Sequence, residues 1–236
     1  MIEEAVWDSE FFKRKIGRLT SVPAGNALRK CLQQAAANGY AYLTCRIVLE
    51  NISEIQRLEK HGFYVTDIGA VWERKPAISS PEQASGVRLA SLKDSSSLEA
   101  LCEGLFREGR FFNDPFFTHQ EAERLYLQWV INSLRDRTSR IFFVEGSGFV
   151  VCHRIKNRGD IGLIGVTPAR QGKGIGRSLV RRALTWFQEE KLDNVTVRTQ
   201  ATNISAMNFY LRMGFRIKYT DMTMGLILKE KRQGGL

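Results

Sequence analysis

The chain has 236 residues, 43 % of them hydrophobic, which is enough for one large or two small domains with real cores and excludes a disordered or fibrous protein. The formal net charge is +10, but the densest basic groups (Lys13-Arg14-Lys15, Arg177 with Arg181-Arg182, Lys229 to Arg232) lie far apart, so a small anionic ligand outranks a nucleic-acid footprint. Cys31, Cys45, Cys102 and Cys152 stand alone with only three histidines, against a zinc site and a disulfide framework and for reduced thiols.

In chain order, an early strand carrying Thr44-x-Arg46 precedes Asn51-Ile52-Ser53, a helix and Gly62-Phe63. The stretch Lys75 to Gly86, rich in Pro, Ser and Gly, reads as a linker. The expected division is an N-terminal domain over 1–76, a linker over 77–86 and a larger domain over 87–236. Val87–Leu89 is a short strand candidate and Ser91 to Phe106 a capped helix. Glu121 to Leu134 is a second helix, with Leu125, Tyr126, Trp129 and Val130 at helical spacing. Arg140–Glu145, Phe149–Ile155 and Ile161–Val166 then read as an antiparallel meander, turned at Gly146-Ser147-Gly148 and Asn157-Arg158-Gly159. After a glycine-rich turn come an amphipathic helix, Arg177 to Glu190, a strand at Val195–Thr199 and a helix from Ser205 to Arg212. Gly214 falls where a left-handed cap is wanted, before strands at Phe215–Tyr219 and Met222–Leu228.

Two parts of this pattern match each other without a gap. Thr44-x-Arg46, Asn51-Ile-Ser53 and Gly62-Phe63 reappear as Thr196-x-Arg198, Asn203-Ile-Ser205 and Gly214-Phe215. Tyr210 of the second copy is Leu58 in the first, which also lacks a glycine-rich turn.

That turn, Val166-x-Pro168-x-Arg170-Gln171-Gly172-Lys173-Gly174-Ile175-Gly176, joins a strand to a helix. It gathers backbone N–H groups at the positive end of a helix dipole, which suits a phosphate. Gly174 follows Lys173 where a Walker motif needs Ser or Thr, and the preceding hairpins argue against a dinucleotide fold. With Asn203-x-x-Ala206-x-x-x-Tyr210-x-x-x-Gly214-Phe215, it resembles the acyl-CoA-binding core of the GNAT N-acetyltransferase superfamily over residues 87 to 228. A narrower similarity lies in Trp7-Asp-Ser-Glu-Phe-Phe12, the segment Phe106 to Phe117, and Tyr126-x-x-Trp129. It is to bacterial TDP-fucosamine (dTDP-4-amino-4,6-dideoxygalactose) N-acetyltransferases of surface-polysaccharide synthesis.

The resemblance implies an α/β (α+β) GNAT fold, a central mixed and mostly antiparallel sheet flanked by helices, with a smaller, degenerate GNAT-like N-terminal domain. It implies acetyl-CoA as co-substrate. Gln171, Gly172, Lys173, Gly174, Ile175 and Gly176 would hold the CoA pyrophosphate, and the strand through Ile164 and Val166 the pantetheine and the acetyl oxygen. Asn203 is either a helix N-cap or a pantetheine ligand, and Tyr210 becomes the acid that protonates the CoA thiolate. On the acceptor side, Arg107, Arg110, Phe111, Phe112 and Phe117 interleave basic and aromatic side chains. They suit base stacking and diphosphate pairing, or a hydrophobic plug with solvated arginines. His119, Glu145, His153, Asp160 and Asp67 are the base candidates, and water is an alternative.

The expected activity is direct acetyl transfer to the amine of a nucleotide-linked amino sugar. A protein N-terminus, polyamine or antibiotic as acceptor stays open, as does a non-catalytic acyl-CoA-binding module. The expected partner is a small nucleotide-sugar acceptor, with no metal, nucleic acid or membrane, and a homodimer stays open. The acidic Met1-Ile-Glu-Glu-Ala start and the lack of an apolar run of ~20 residues lead to a cytoplasmic expectation.

Overall fold

A computed structural model describes residues 1–77, 86–106 and 109–228. The elements are β1 (Ile2–Glu4), α1 (Val6–Phe12), β2 (Ile16–Leu19), α2 (Asn26–Ala37), β3 (Tyr42–Val48), α3 (Ile52–Lys60) and β4 (Tyr64–Arg74). They continue with β5 (Arg88–Leu89), α4 (Ser95–Cys102), α5 (Arg110–Asn113), α6 (His119–Arg135), β6 (Ser139–Val144), β7 (Gly148–Ile155) and β8 (Arg158–Val166). Last come α7 (Ile175–Glu189), β9 (Asn194–Gln200), α8 (Ile204–Arg212) and β10 (Arg216–Ile227).

These gather into two compact units: the described residues of 1–69, 109–121 and 220–236, and those of 70–108 and 122–219. A division at 77–86 in chain order is therefore not how the chain groups. β4 passes from the first unit to the second after Gly69, and β10 returns after Tyr219. Membership of a unit is decided by which strands pair, which composition does not record. The middle of that segment, 78–85, lies outside the described residues.

In the first unit the strand order is β1-β2-β3-β10-β4. β2 runs parallel to β3, from Ile16 against Tyr42 to Leu19 against Cys45, while β10 runs antiparallel, from Asp221 against Val48 to Ile227 against Tyr42. Leu28 and Ala35 of α2 and Ile55 and Leu58 of α3 supply apolar stripes at helical spacing, which bury against Leu43, Cys45, Ile47, Phe63 and Met224.

In the second unit the order is β4-β9-β8-β7-β6-β5. The expected meander is present, with β5 to β8 antiparallel and β9 parallel to β8 across α7. Alternating side chains build a core on each face of the sheet. Phe142, Val150 and Ile161 pack with Leu179, Val180, Ala183 and Phe187 of α7, whereas Ile141, Phe143, Phe149 and Val151 pack with Leu98, Leu101 and Val130.

Two boundaries differ from expectation. Ser91 and Asp94 do form a capping box, but the helix they open ends at Cys102, before Gly104 at φ +69°. The strands expected over 215–219 and 222–228 are one strand, because Asp221 is buried within the ladder. The repeat has matching structure. Asn51 and Asn203 share φ −85° at the start of helices of 9 residues each, and Gly62 (φ +85°) and Gly214 (φ +79°) close them.

Candidate active site

The second unit holds the glycine turn. β8 ends at Val166, a short 3-10 turn spans Pro168–Arg170, and α7 begins at Ile175. Gly172 sits at φ +74° and Gly174 at φ +80°, a region where a side chain is strained. Gly174 occupies the N-cap of α7 without a side-chain cap, so the first-turn N–H groups have no capping side chain. A Cβ on either glycine would meet nothing within 4 Å, so the turn faces open space. Lys173 and Arg170 are exposed around it, and Gln171 Nε2 ties its base by donating to the Val166 carbonyl at 3.1 Å.

Beside the turn, the parallel ladder between β8 and β9 runs from Arg158/Asn194 to Ile161/Val197 and stops, although β8 continues to Val166. Half-buried Ile164 and Val166 pack against the α7 core from this unzipped segment. Asn203 opens α8, and its Oδ1 accepts from the Ala206 N–H at 2.9 Å, so the N-cap role is realised. Two turns on, Tyr210 is 3 % exposed and packs among Trp72, Phe209 and Phe215. Burial, and then the negative charge of Asp160, push its phenol well above the usual value. Trp72 Nε1, in the same cluster, is a buried donor without a protein partner. An open amide turn, a strand edge that β9 leaves free and a neutral phenol fit a diphosphate-bearing thioester such as acetyl-CoA.

A cavity of about 320 Å3 lies against the same stretch of β8, lined by Gly162 and Leu163 together with Trp129, Asn132, Ser133, Asp136 and His153. Ser139 Oγ donates to Asp136 Oδ2 at 2.6 Å and stands 2.7 Å from His153 Nδ1. Serine has a single hydrogen and the carboxylate can only accept, so His153 Nδ1 carries a proton and donates to Ser139. Burial lowers the His153 pKa, against the opposing charges of Asp160 and Asp136, and keeps the ring neutral at pH 7. The lone pair is then on Nε2, over Gly162, where a Cβ would stand 2.5 Å from it. The other base candidates are engaged elsewhere. Glu145 pairs with Arg88 at 3.0 Å, Asp160 accepts from Thr196 at 2.6 Å, His119 meets the Phe112 ring, and Asp67 is buried in the first unit.

The acceptor residues expected from sequence divide. Phe111 and Phe117 are 2 % and 8 % exposed and pack on Phe12 in the first unit. They are core, because each ring finds an apolar partner from a distant segment, and base stacking is closed to them. Phe112 is half-buried. Arg110 lies over the Phe111 ring and donates to Thr44 Oγ1 at 3.3 Å. Arg107 lies outside the described residues. The pair Ser139–His153 lies one residue beyond the strand expected from Arg140, because β6 begins at Ser139 and sets it opposite His153.

Among the described residues no helix is long and apolar enough to cross a membrane. Residues 103–215 match the Acetyltransferase (GNAT) family. The chain is 26 % identical over 229 residues to the dTDP-fucosamine acetyltransferase of Escherichia coli, covering 93 % of this chain and 95 % of that one. It is 30 % identical over 124 residues to the spore coat polysaccharide biosynthesis protein SpsD of Bacillus subtilis, covering 50 % of this chain and 43 % of the relative. A GCN5-related N-acetyltransferase from Sphaerobacter thermophilus shares the fold with a TM-score of 0.66 at 14 % identity, over 97 % of this chain and 76 % of that one. The match, the glycine turn and the edge of β8 that β9 leaves free agree: the chain carries an acetyltransferase domain of the GNAT family and is an N-acetyltransferase with acetyl-CoA as its co-substrate.

Proposed function

We propose that this enzyme transfers acetyl directly to the amine of a nucleotide-linked amino sugar, of the dTDP-4-amino-4,6-dideoxy-D-galactose type. The observation that carries this is the end-to-end similarity to the dTDP-fucosamine acetyltransferase, 93 % of this chain against 95 % of that one, since the shared acyl-transfer core spans only 103–215. In this reading the N-terminal copy, with Leu58 in place of Tyr210, is a degenerate GNAT-like domain that kept the scaffold and lost the chemistry.

Bound acetyl-CoA supplies the thioester that the amine attacks. The chain's own groups do the rest. N–H groups of 171–176 bind the pyrophosphate, with Lys173 adding charge. The edge of β8 that β9 leaves free orients the pantetheine, and an N–H near Val166 polarises the acetyl oxygen as charge develops there. Asn203, its Oδ1 committed to the cap, has its amide nitrogen to offer the pantetheine. His153 Nε2 takes a proton from the amine as the N–C bond forms. Tyr210 gives one to the sulfur as the C–S bond breaks.

Thiol release measured over a panel of nucleotide-linked amino sugars, peptides and polyamines tests the acceptor. Turnover on the nucleotide sugars is expected, and turnover on peptides alone contradicts it.

A further inference from the structure

A cavity of about 320 Å3 borders His153, the base of the proposed mechanism, and its walls say what can surround the amine. Small-molecule pockets run from roughly 300 Å3 upwards, so this one takes a single ring rather than a whole nucleotide sugar. Val151 on β7 is in register with Leu163 on β8, which puts both side chains on one face of the sheet. They pack in one cluster with Val130 of α6, and together with Trp129 these three make an apolar wall.

The polar side chains of the lining are bonded within the protein. Asn132 Oδ1 accepts from Gln128 Nε2 at 2.8 Å, and Ser133 Oγ donates to the Trp129 carbonyl at 2.8 Å. The exposed Asp136 carboxylate accepts from the Thr138 N–H at 2.9 Å, from Thr138 Oγ1 at 2.8 Å and from Ser139 Oγ at 2.6 Å. His153 Nδ1 is held by Ser139, which leaves Nε2 over Gly162 to meet a ligand. A hydroxyl pressed against Val130, Val151 and Leu163 therefore gives up its water for no new partner, whereas a methyl group gains by burial.

On a pyranose with its amine at C4, C6 hangs from the adjacent ring carbon and enters beside the amine. The anomeric carbon, with any diphosphate, lies across the ring and stays outside. With the nitrogen at His153 Nε2, the C6 substituent meets the apolar wall. We propose that Trp129, Val130, Val151 and Leu163 select an amino sugar deoxygenated at C6, a specificity that rests on the acceptor proposed above.

Acetyl transfer by the full chain to two pairs of acceptors tests this. Each pair sets 4-amino-4,6-dideoxygalactose against 4-amino-4-deoxygalactose, once as the dTDP-linked sugars and once as the methyl glycosides. The 6-deoxy member is expected to be preferred about 50-fold in kcat/KM, the scale on which an apolar pocket rejects an added hydroxyl. Leu163→Gln is expected to cut that preference to about 5-fold, because the amide gives the hydroxyl a partner. Leu163 is half-buried, and Val151→Thr, which keeps the side-chain shape, repeats the test from the facing strand if Leu163→Gln unfolds. A merely structural role lowers both rates and leaves their ratio. Equal kcat/KM within the pairs, or a ratio that neither variant moves, overturns the proposal, and turnover of the dTDP-linked sugars then leaves the acceptor assignment standing. If the methyl glycosides show the preference and the dTDP link adds nothing to kcat/KM, the nucleotide falls and the cavity stands. Turnover on none of these sugars overturns both.

Discussion

In the proposed mechanism His153 is the base and Tyr210 the acid, and burial acts on the two in opposite senses. The phenol is neutral when protonated, so burial holds its proton on, and the nearby Asp160 charge adds to that. The imidazole is neutral when deprotonated, so burial holds the second proton off, while Asp160 and Asp136 pull the other way. The sign for activity follows. Turnover is expected to fall as pH drops through a His153 value below 6.5, and the phenol contributes no alkaline limb near its ordinary value of 10. Stability moves in the same sense, because below pH 6.5 the unfolded histidine takes up a proton that the folded one resists. A pH profile of kcat for wild type and His153→Gln checks this. The variant is expected to lose ~10²-fold at neutral pH, together with the acid limb. A variant that keeps the limb removes His153 from the mechanism. The hydrogen bond from His153 Nδ1 to Ser139 Oγ, which itself donates to Asp136, fixes the ring with Nε2 over β8, as the proposed base requires.

At the scale of elements, the turn before α7 is where backbone conformation matters most. Gly174 at φ +80° has open space around it, so a methyl group would clash with nothing and only the dihedral is strained. Gly174→Ala is therefore expected to fold, with a loss of about 1–2 kcal/mol. It should raise the acetyl-CoA KM about 10-fold as the cradle N–H groups turn away, with kcat retained at saturation. Thermal unfolding and steady-state kinetics read the two effects separately, and an unchanged KM would take the turn out of co-substrate binding. This element was legible in the sequence because glycine there answers a local demand, a positive φ before an uncapped helix. The segment 106–117 was not. Alternating Arg and Phe serve a stacking platform and a core plug equally well, and the choice is made by Phe12 and Tyr42, which pack on Phe117 from far along the chain.

At the scale of the molecule, the chain uses one strand-helix-strand plan twice and equips one copy for chemistry. The matched Asn, Gly-Phe and strand positions made the plan readable from sequence, and with it most element positions. The grouping was less readable, because β4 and β10 each run from one unit into the other, and composition carries no record of which strand a segment pairs with. Within the plan, Leu58 and Tyr210 occupy equivalent buried positions, 0 % and 3 % exposed, so packing accepts either an aliphatic side chain or a phenol there. In the proposed mechanism that hydroxyl is the acid. The most direct measurement is kcat and acetyl-CoA KM for Tyr210→Phe, with the acceptor on which the wild type turns over fastest. A fall in kcat of ~10²-fold with KM unchanged is the result expected for a lost acid catalyst, and an unchanged kcat would contradict the account.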